Sequence, residues 1–405
     1  YYTKSLEGNN LVHYVIPGVF ETYAYEQFEE LFHKPQIVKE RLEGCVTCGK
    51  PSPGLSQPPQ LDLRKHRSVE ITQAQTYSLN LKAVSKNLVK IVRVFINGKP
   101  AEKVPVNAKE IEITLNIPLF SGANRITAIA YDENGFFSNP RYLDVISENL
   151  DLAKPNLYLI GMGISDYPKL SRQWQLDFAH TDTISLIETM QREQGKLYGQ
   201  IRNSLITNED ATVEKISDVL EAHSSVSEND IVIIHMAGHG IKDKSGTFYF
   251  LTSTVNSIDE PQYGGLSWSL LNTYLSKIKG RVILLLDACH SGSIVTETVV
   301  PNDNLAQEFF SGKRGGIMVF SASKGRQYSL ESPDIGNGAG IFTYALLQGL
   351  GEKSNEVDLN RNGVVEFMEL VDYVSNYVDE ATKGEQTPWL SRKELFGDLP
   401  VVTVQ

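Results

Sequence analysis

At 405 residues the chain is longer than one hydrophobic core organises, and two or three domains are expected. Its 41% hydrophobic and 21% charged content is that of a globular protein, and its formal net charge of −11 argues against nucleic acid as the main partner. No apolar run reaches the ~18 residues of a membrane span, and three cysteines are too few for a disulfide framework, so a reducing, cytoplasmic setting is expected.

The chain opens on Tyr1 without a signal-peptide pattern, as a fragment or a processed form would. Residues 1–50 combine a strand-like start, Leu11 to Ile16, with a short amphipathic helix around Tyr25 to Phe32. Cys45 and Cys48 form a single C-x-x-C. A zinc site needs two more ligands and no second pair exists, so this reads as a loop with two free thiols. Pro51 to Pro59 is a stiff Pro-rich linker and a domain boundary.

Residues 60–148 are a run of short strands with turn punctuation and no helices. Ile91 to Ile96 alternates and ends on Asn97-Gly98, a strong hairpin signal. Ile111 to Leu115 alternates cleanly, and Ile126 to Tyr131 runs into the turn Asp132 to Gly135. Strands at this spacing suggest a small all-β sandwich, Ig-like in size, whose default role is binding or spacing.

From Asn156 the pattern changes to strand–helix alternation. Strands are expected at Leu157–Gly163, Ile201–Thr207, Ile231–Gly240, Arg281–Leu286, Gly316–Ser321 and Leu399–Val404. Helices are expected at Leu176–Met190, Ala211–Ala222 (capped by Asp210), Leu266–Ile278, Phe342–Leu350 and Phe367–Val378. Such alternation specifies an α/β fold: a doubly wound, mostly parallel sheet with helices on both faces.

Two strands carry chemistry at their ends. Val282 to Leu286 is an apolar run fit for burial on both faces, and it breaks into Asp287-Ala-Cys289-His-Ser-Gly292. Ile231 to Met236, apolar but for His235, is a second buried strand, ending in Ala237-Gly238-His239-Gly240. A thiol and an imidazole at the carboxyl ends of two strands stand where open α/β sheets build their sites. His235, in mid-strand, reads as a core residue.

On these residues the chain resembles the caspase-like (clan CD, peptidase C14) cysteine peptidases, and among them the bacterial orthocaspases and metacaspases. A His about 50 residues before the Cys is the known caspase spacing. The resemblance covers residues 155–405 and implies a caspase-like peptidase domain, with Cys289 as nucleophile and His239 as the acid/base. No cofactor is required for that chemistry. Residues 1–50 resemble the segment that follows the last blade of a β-propeller in bacterial propeller–caspase fusions. One departure matters: caspases carry Gln where this chain has Asp287, whereas the metacaspase branch carries Asp.

Asp287 bears on specificity. A carboxylate two residues before the nucleophile would sit at the floor of the S1 pocket, where an unpaired buried charge is costly unless a cation enters. Arg or Lys at P1 is therefore favoured. Metacaspases add an Asp from the first helix, and Asp182 matches that place. Gly240 lets the backbone approach the scissile carbonyl, so the amides of Gly240 and Cys289 can form an oxyanion hole, each donor worth roughly 2.7–4 kcal/mol in the transition state. The long connection Ser293 to Gly315 contains Lys313-Arg314, candidate self-cleavage sites for an acidic S1 pocket.

Asp358, Asn360, Asn362, Glu366 and Glu369 match the oxygen-ligand places of an EF-hand loop with Gly363 at its turn, a candidate calcium site. Asn at two places lowers the charge, the loop is single, and Asn/Gly turns that open a helix also recur in caspase-like chains as structure. The leading expectation is a cysteine endopeptidase acting on proteins or peptides with exposed Arg or Lys, regulated by its N-terminal modules or an effector. An inactive caspase-like scaffold and a stricter CHAT- or separase-like peptidase are the alternatives.

Overall fold

The computed structural model describes residues 13–16, 21–24, 27–28, 32, 34–45, 56–63, 69–149, 151–245, 247–289, 317–323, 327, 329–336, 338–392 and 398–405. They divide into two compact units, one formed by residues 1–119 and 125–147, the other by 120–124 and 148–405.

In the first unit, β1 (His13–Val15) pairs antiparallel with β2 (Thr22–Ala24), and α1 spans Pro35–Leu42. Phe28 and Phe32, four positions apart in the sequence, bury against Phe136 and Tyr23. Cys45 is disulfide-bonded, which corrects the free-thiol reading. A sulfur held in a covalent bond has no thiolate to offer a metal.

The remaining strands are β3 (Gln60–Leu63), β4 (Val69–Thr72), β5 (Thr76–Ile96), β6 (Lys99–Pro118), β7 (Gly122–Asp132) and β8 (Arg141–Ser147). They form one hydrogen-bonded sheet in the order β3-β5-β7-β8-β4, with β6 also on β5. Where short separate strands are expected, β5 and β6 run for 21 and 20 residues. Register shifts between Val84 and Val89 and between Val94 and Phe95 break the ladder locally without ending the strand. The Asn97-Gly98 hairpin forms as expected, with φ of 47° and 76° at the two turn residues.

The second unit is built on a six-strand path. Its strands are β9 (Leu157–Gly163), β10 (Ile201–Thr207), β11 (Ile231–Lys242), β14 (Arg281–Cys289), β15 (Ile317–Ser321) and β19 (Trp389–Arg392), in the order β10-β9-β11-β14-β15-β19. All pairings are parallel except that of β19. Between β11 and β14 in the chain, β12 (Phe248–Leu251) and β13 (Gly265–Ser267) extend β11 as an antiparallel flap.

The helices α2 (Ala179–Gln191), α3 (Val213–Ala222), α4 (Trp268–Leu275), α5 (Ile341–Leu350) and α7 (Phe367–Thr382) cover the two faces, and α6 (Ser354–Val357) is a single turn. Ile283 and Leu285 of β14 pack with α2, α5 and α7, whereas Val282, Leu284 and Leu286 pack with α3 and α4. Burial of alternate residues on opposite faces explains the unbroken apolar run. Each such side chain contributes about 1.5–3 kcal/mol by leaving water.

Several local expectations change, among them the helix expected at Leu266–Ile278, which spans only Trp268–Leu275 because Gly265–Ser267 pairs as β13. Thr212, whose hydroxyl accepts from the Lys215 amide, caps α3; Asp210 lies in the preceding 3-10 turn Asn208–Asp210. α2 begins at Ala179 rather than Leu176, because the Asp177 and Phe178 amides are bound by the Glu331 carboxylate. The last strand, β20 (Pro400–Thr403), leaves the main sheet to pair with β18 (Val364–Glu366), and β19 takes the sheet edge instead. Val401 and Val402 pack on the α7 side, so their apolar pattern marks core without naming a sheet. Among the described residues no helix is long and apolar enough to cross a membrane.

Candidate active site

β11 and β14 run in parallel register from Ile231↔Arg281 to His239↔Cys289, so the two motif residues are direct cross-strand partners at the last position of the pairing. Beyond that point β11 changes partner: Gly240 to Lys242 pair with β12. The stretch Gly238 to Gly240 thus lies where the parallel sheet ends at its carboxyl edge.

His239 is held from several sides. Its backbone amide donates to the Tyr167 hydroxyl at 2.9 Å, and its ring lies against Tyr167 (centroids 5.1 Å apart) and edge-on to Trp174 (5.3 Å). Nε2 stands 2.9 Å from the Trp174 carbonyl. A carbonyl only accepts, so Nε2 is the donor in this bond. Gly238, at φ +156°, makes this packing possible, because a Cβ there would sit 2.8 Å from the Tyr167 hydroxyl. Nothing in a sequence marks a backbone carbonyl as the orienting partner of an imidazole.

Asp287 and Asp182 meet on the α2/α5 side of the strand ends. Asp287 is 2% exposed and Asp182 is 4% exposed. Ser329 and Thr343 donate their hydroxyls to Asp287 at 2.5 and 2.8 Å, and the Gly340 amide donates to Asp182 at 2.8 Å. A Cβ on Gly340 would stand 2.9 Å from Asp182 Oδ2 and 3.2 Å from Asp287 Oδ2, so both carboxylates reach the same small space.

Burial, then the charge of Asp287, pushes the pKa of Asp182 up to about 8, against the pull of the Gly340 amide. Burial also raises Asp287, opposed by its two hydroxyl donors. Glu331 of β16 (Glu331–Ser332), which pairs with β17 (Ala339–Gly340), is raised by burial against the pull of the two amides it accepts, with Asp287 adding to the rise. It adds a third carboxyl that sequence reasoning missed, since it sits in a polar stretch with no motif around it. Two buried carboxyls with a half-buried third beside them make a strongly cation-seeking environment.

The calcium-loop residues hold one another. Asp358 accepts from the Asn362 and Gly363 amides, and Glu369 accepts from the Leu359, Asn360 and Glu366 amides. Asn360 and Asn362 turn their Nδ2 groups, not their oxygens, toward Glu366. Glu366 and Glu369 form the capping box that opens α7. Among the described residues no group of three His, Cys, Asp or Glu has metal-holding geometry. In this arrangement the donor set fits a helix-opening turn, and no catalytic step is assigned to calcium.

Lys313 and Arg314 lie outside the described residues. A cavity of about 700 Å³ lined by Thr212, Tyr249, Thr254, Gly265 and Ser267 includes none of the predicted site residues.

The caspase domain model matches residues 159–400, more than half of the sequence. The chain belongs to the caspase domain (peptidase C14) family. No curated relative matches it. Among solved structures, the caspase domain is similar to pro-sf-caspase-1, at 10% identity over 60% of this chain and 90% of that one, TM-score 0.36. The chain is also similar to the fibronectin(III)-like modules of Clostridium thermocellum CbhA, at 17% identity over 23% of this chain, TM-score 0.19, spanning 47% of that structure's length. A third likeness is to XAC1771, a carbohydrate acetylesterase from Xanthomonas citri, at 12% identity over 72% of this chain and 74% of that one, TM-score 0.21. Membership in the caspase domain family supports a cysteine peptidase as the function class of the second unit.

Proposed function

We propose that the caspase domain is a cysteine endopeptidase that cleaves after Arg or Lys, with Cys289 as nucleophile and His239 as acid/base. The observation that carries the reading is the convergence of Asp182 and Asp287 at Gly340, beside strand ends whose register pairs His239 with Cys289. The Trp174 carbonyl holds the His239 Nε2 proton, leaving Nδ1 to take the thiol proton as the thiolate attacks the scissile carbonyl. The carbonyl oxygen becomes an oxyanion, which the amides of Gly240 and Cys289 would stabilise. His239 then returns the proton to the leaving amine, a thioester forms on Cys289, and water hydrolyses it with the same imidazole as base.

A P1 guanidinium or ammonium supplies the positive charge that the buried carboxyls need. The substrates are thus proteins or peptides with exposed Arg or Lys, and regulation through the N-terminal unit or an effector belongs to the same proposal. A positional-scanning peptide library assayed with wild type and with Cys289→Ala tests it. Turnover confined to Arg and Lys at P1, and abolished in the variant, is expected; preference for Asp at P1 would overturn the acidic-pocket reading.

A further inference from the structure

We propose that His235 and Thr343 are positioning residues whose buried hydrogen-bond relay fixes the rotation of the Asp287 carboxylate and thereby sets a preference for Arg over Lys at P1. The inference rests on reading Asp287 as an S1 carboxylate.

The relay crosses from α2 through β11 to α5 and ends on β14. His235 Nδ1 lies 3.0 Å from the Thr183 hydroxyl, His235 Nε2 lies 3.2 Å from the Thr343 hydroxyl, and Thr343 donates to Asp287 Oδ2 at 2.8 Å. Thr183 and Thr343 are both 0% exposed and His235 is 2% exposed, so bulk solvent does not reach any member. Burial holds the His235 pKa down at about 3, which leaves the ring neutral with one N–H.

Proton counting gives the relay a direction. Thr343 has one hydroxyl proton and gives it to the carboxylate, so its oxygen accepts from His235, and Nε2 carries the hydrogen. Nδ1 then bears the lone pair and can take the Thr183 hydroxyl, which otherwise bonds the Ala179 carbonyl at 2.9 Å. Ser329 holds the other carboxylate oxygen. Asp287 is thus pinned through both oxygens, from α5 and from the stretch just before β16.

A pinned carboxylate matters unequally to the two cations. The planar guanidinium of Arg bonds through a rigid fork that needs acceptor oxygens at set angles, whereas the Lys ammonium is a rotatable point charge. Loosening one oxygen of Asp287 should therefore cost Arg more than Lys.

The test measures kcat and KM for matched Arg and Lys peptides with wild type, Thr343→Val, Thr343→Ser and His235→Phe, each checked by its thermal midpoint. Val keeps the shape and deletes the hydroxyl. Thr343→Val should lower the Arg:Lys ratio of kcat/KM by roughly tenfold, mainly through KM for Arg. Thr343→Ser should restore it to within about twofold, because the hydroxyl returns. His235→Phe should move the ratio in the same direction by roughly threefold, and it carries the test if Thr343→Val fails to fold. A wild type that prefers basic P1 but whose Arg:Lys ratio is unmoved in these variants overturns the relay and leaves the S1 reading standing. A wild type indifferent to basic P1 overturns both.

Discussion

Replacing Asp182 by Asn should make the protein more stable at alkaline pH and a worse peptidase, two effects of opposite sign from one carboxyl. The Asp182 pKa is raised from 3.8 to about 8, by burial first and by Asp287 second. Between those values the folded protein holds a proton that the unfolded chain has released. The stability this provides is full below pH ~4 and is lost as pH rises through ~8. At about 1.4 kcal/mol per unit the ceiling is of order 5 kcal/mol.

Asn keeps an acceptor for the Gly340 amide and carries no charge to bury. Water entry and local adjustment reduce the ceiling, so Asp182→Asn is expected to gain about 2 kcal/mol over wild type at pH 9 and close to zero at pH 5. A P1 cation loses a carboxyl that ionises to face it, worth about 4 kcal/mol at 4 Å in an effective dielectric of 20, less the ~1.4 kcal/mol needed at pH 7 to release a proton held with a pKa of about 8. The difference leaves an expected fall in kcat/KM for Arg peptides of about 100-fold. Urea denaturation at the two pH values and steady-state kinetics read both effects. A variant that shows the wild-type pH dependence of stability, or wild-type turnover of Arg peptides, would refute the reasoning.

Three further outcomes are expected. Gly238→Ala puts a methyl 2.8 Å from the Tyr167 hydroxyl and 3.1 Å from the Phe250 ring, so it should destabilise by about 1–3 kcal/mol and cut turnover at least tenfold by turning His239; calorimetry and kinetics check this. Intact-mass analysis should find wild-type chains cut after Lys313 or Arg314 and Cys289→Ala chains whole; an active wild type without that cut refutes self-cleavage. Chelation with EGTA should change neither thermal midpoint nor turnover, because Asp358 and Glu369 already bind their own loop's amides; a calcium-dependent rise in midpoint would contradict this.

The pairing of His239 with Cys289 was legible because two largely apolar strands, one interrupted only by His235, end at equivalent points, and parallel strands buried on both faces admit few registers. Asp287 was legible from its place in the motif and Asp182 from what the metacaspase resemblance implies, and the structure brings them to one point. Glu331 was not, because its place depends on a two-residue pairing with Ala339–Gly340 that has no propensity signal. The Trp174 carbonyl was hidden for a different reason: every residue has one. The length of Thr76–Ile96 was masked by Ser85, Lys86 and Asn87, which look like turn residues yet lie in a bulge. His235 was read as core, and it is buried; its bonds to Thr183 and Thr343 depend on helices 52 and 108 positions away.

The most direct measurement of the central claim is covalent capture with a peptidyl acyloxymethyl ketone bearing Arg at P1, followed by peptide mapping. The account predicts one adduct per chain, on Cys289, lost in His239→Ala and sharply reduced in Asp287→Asn, with no labelling by the matching probe bearing Asp. An adduct on another residue, or equal labelling by the Asp probe, would contradict it.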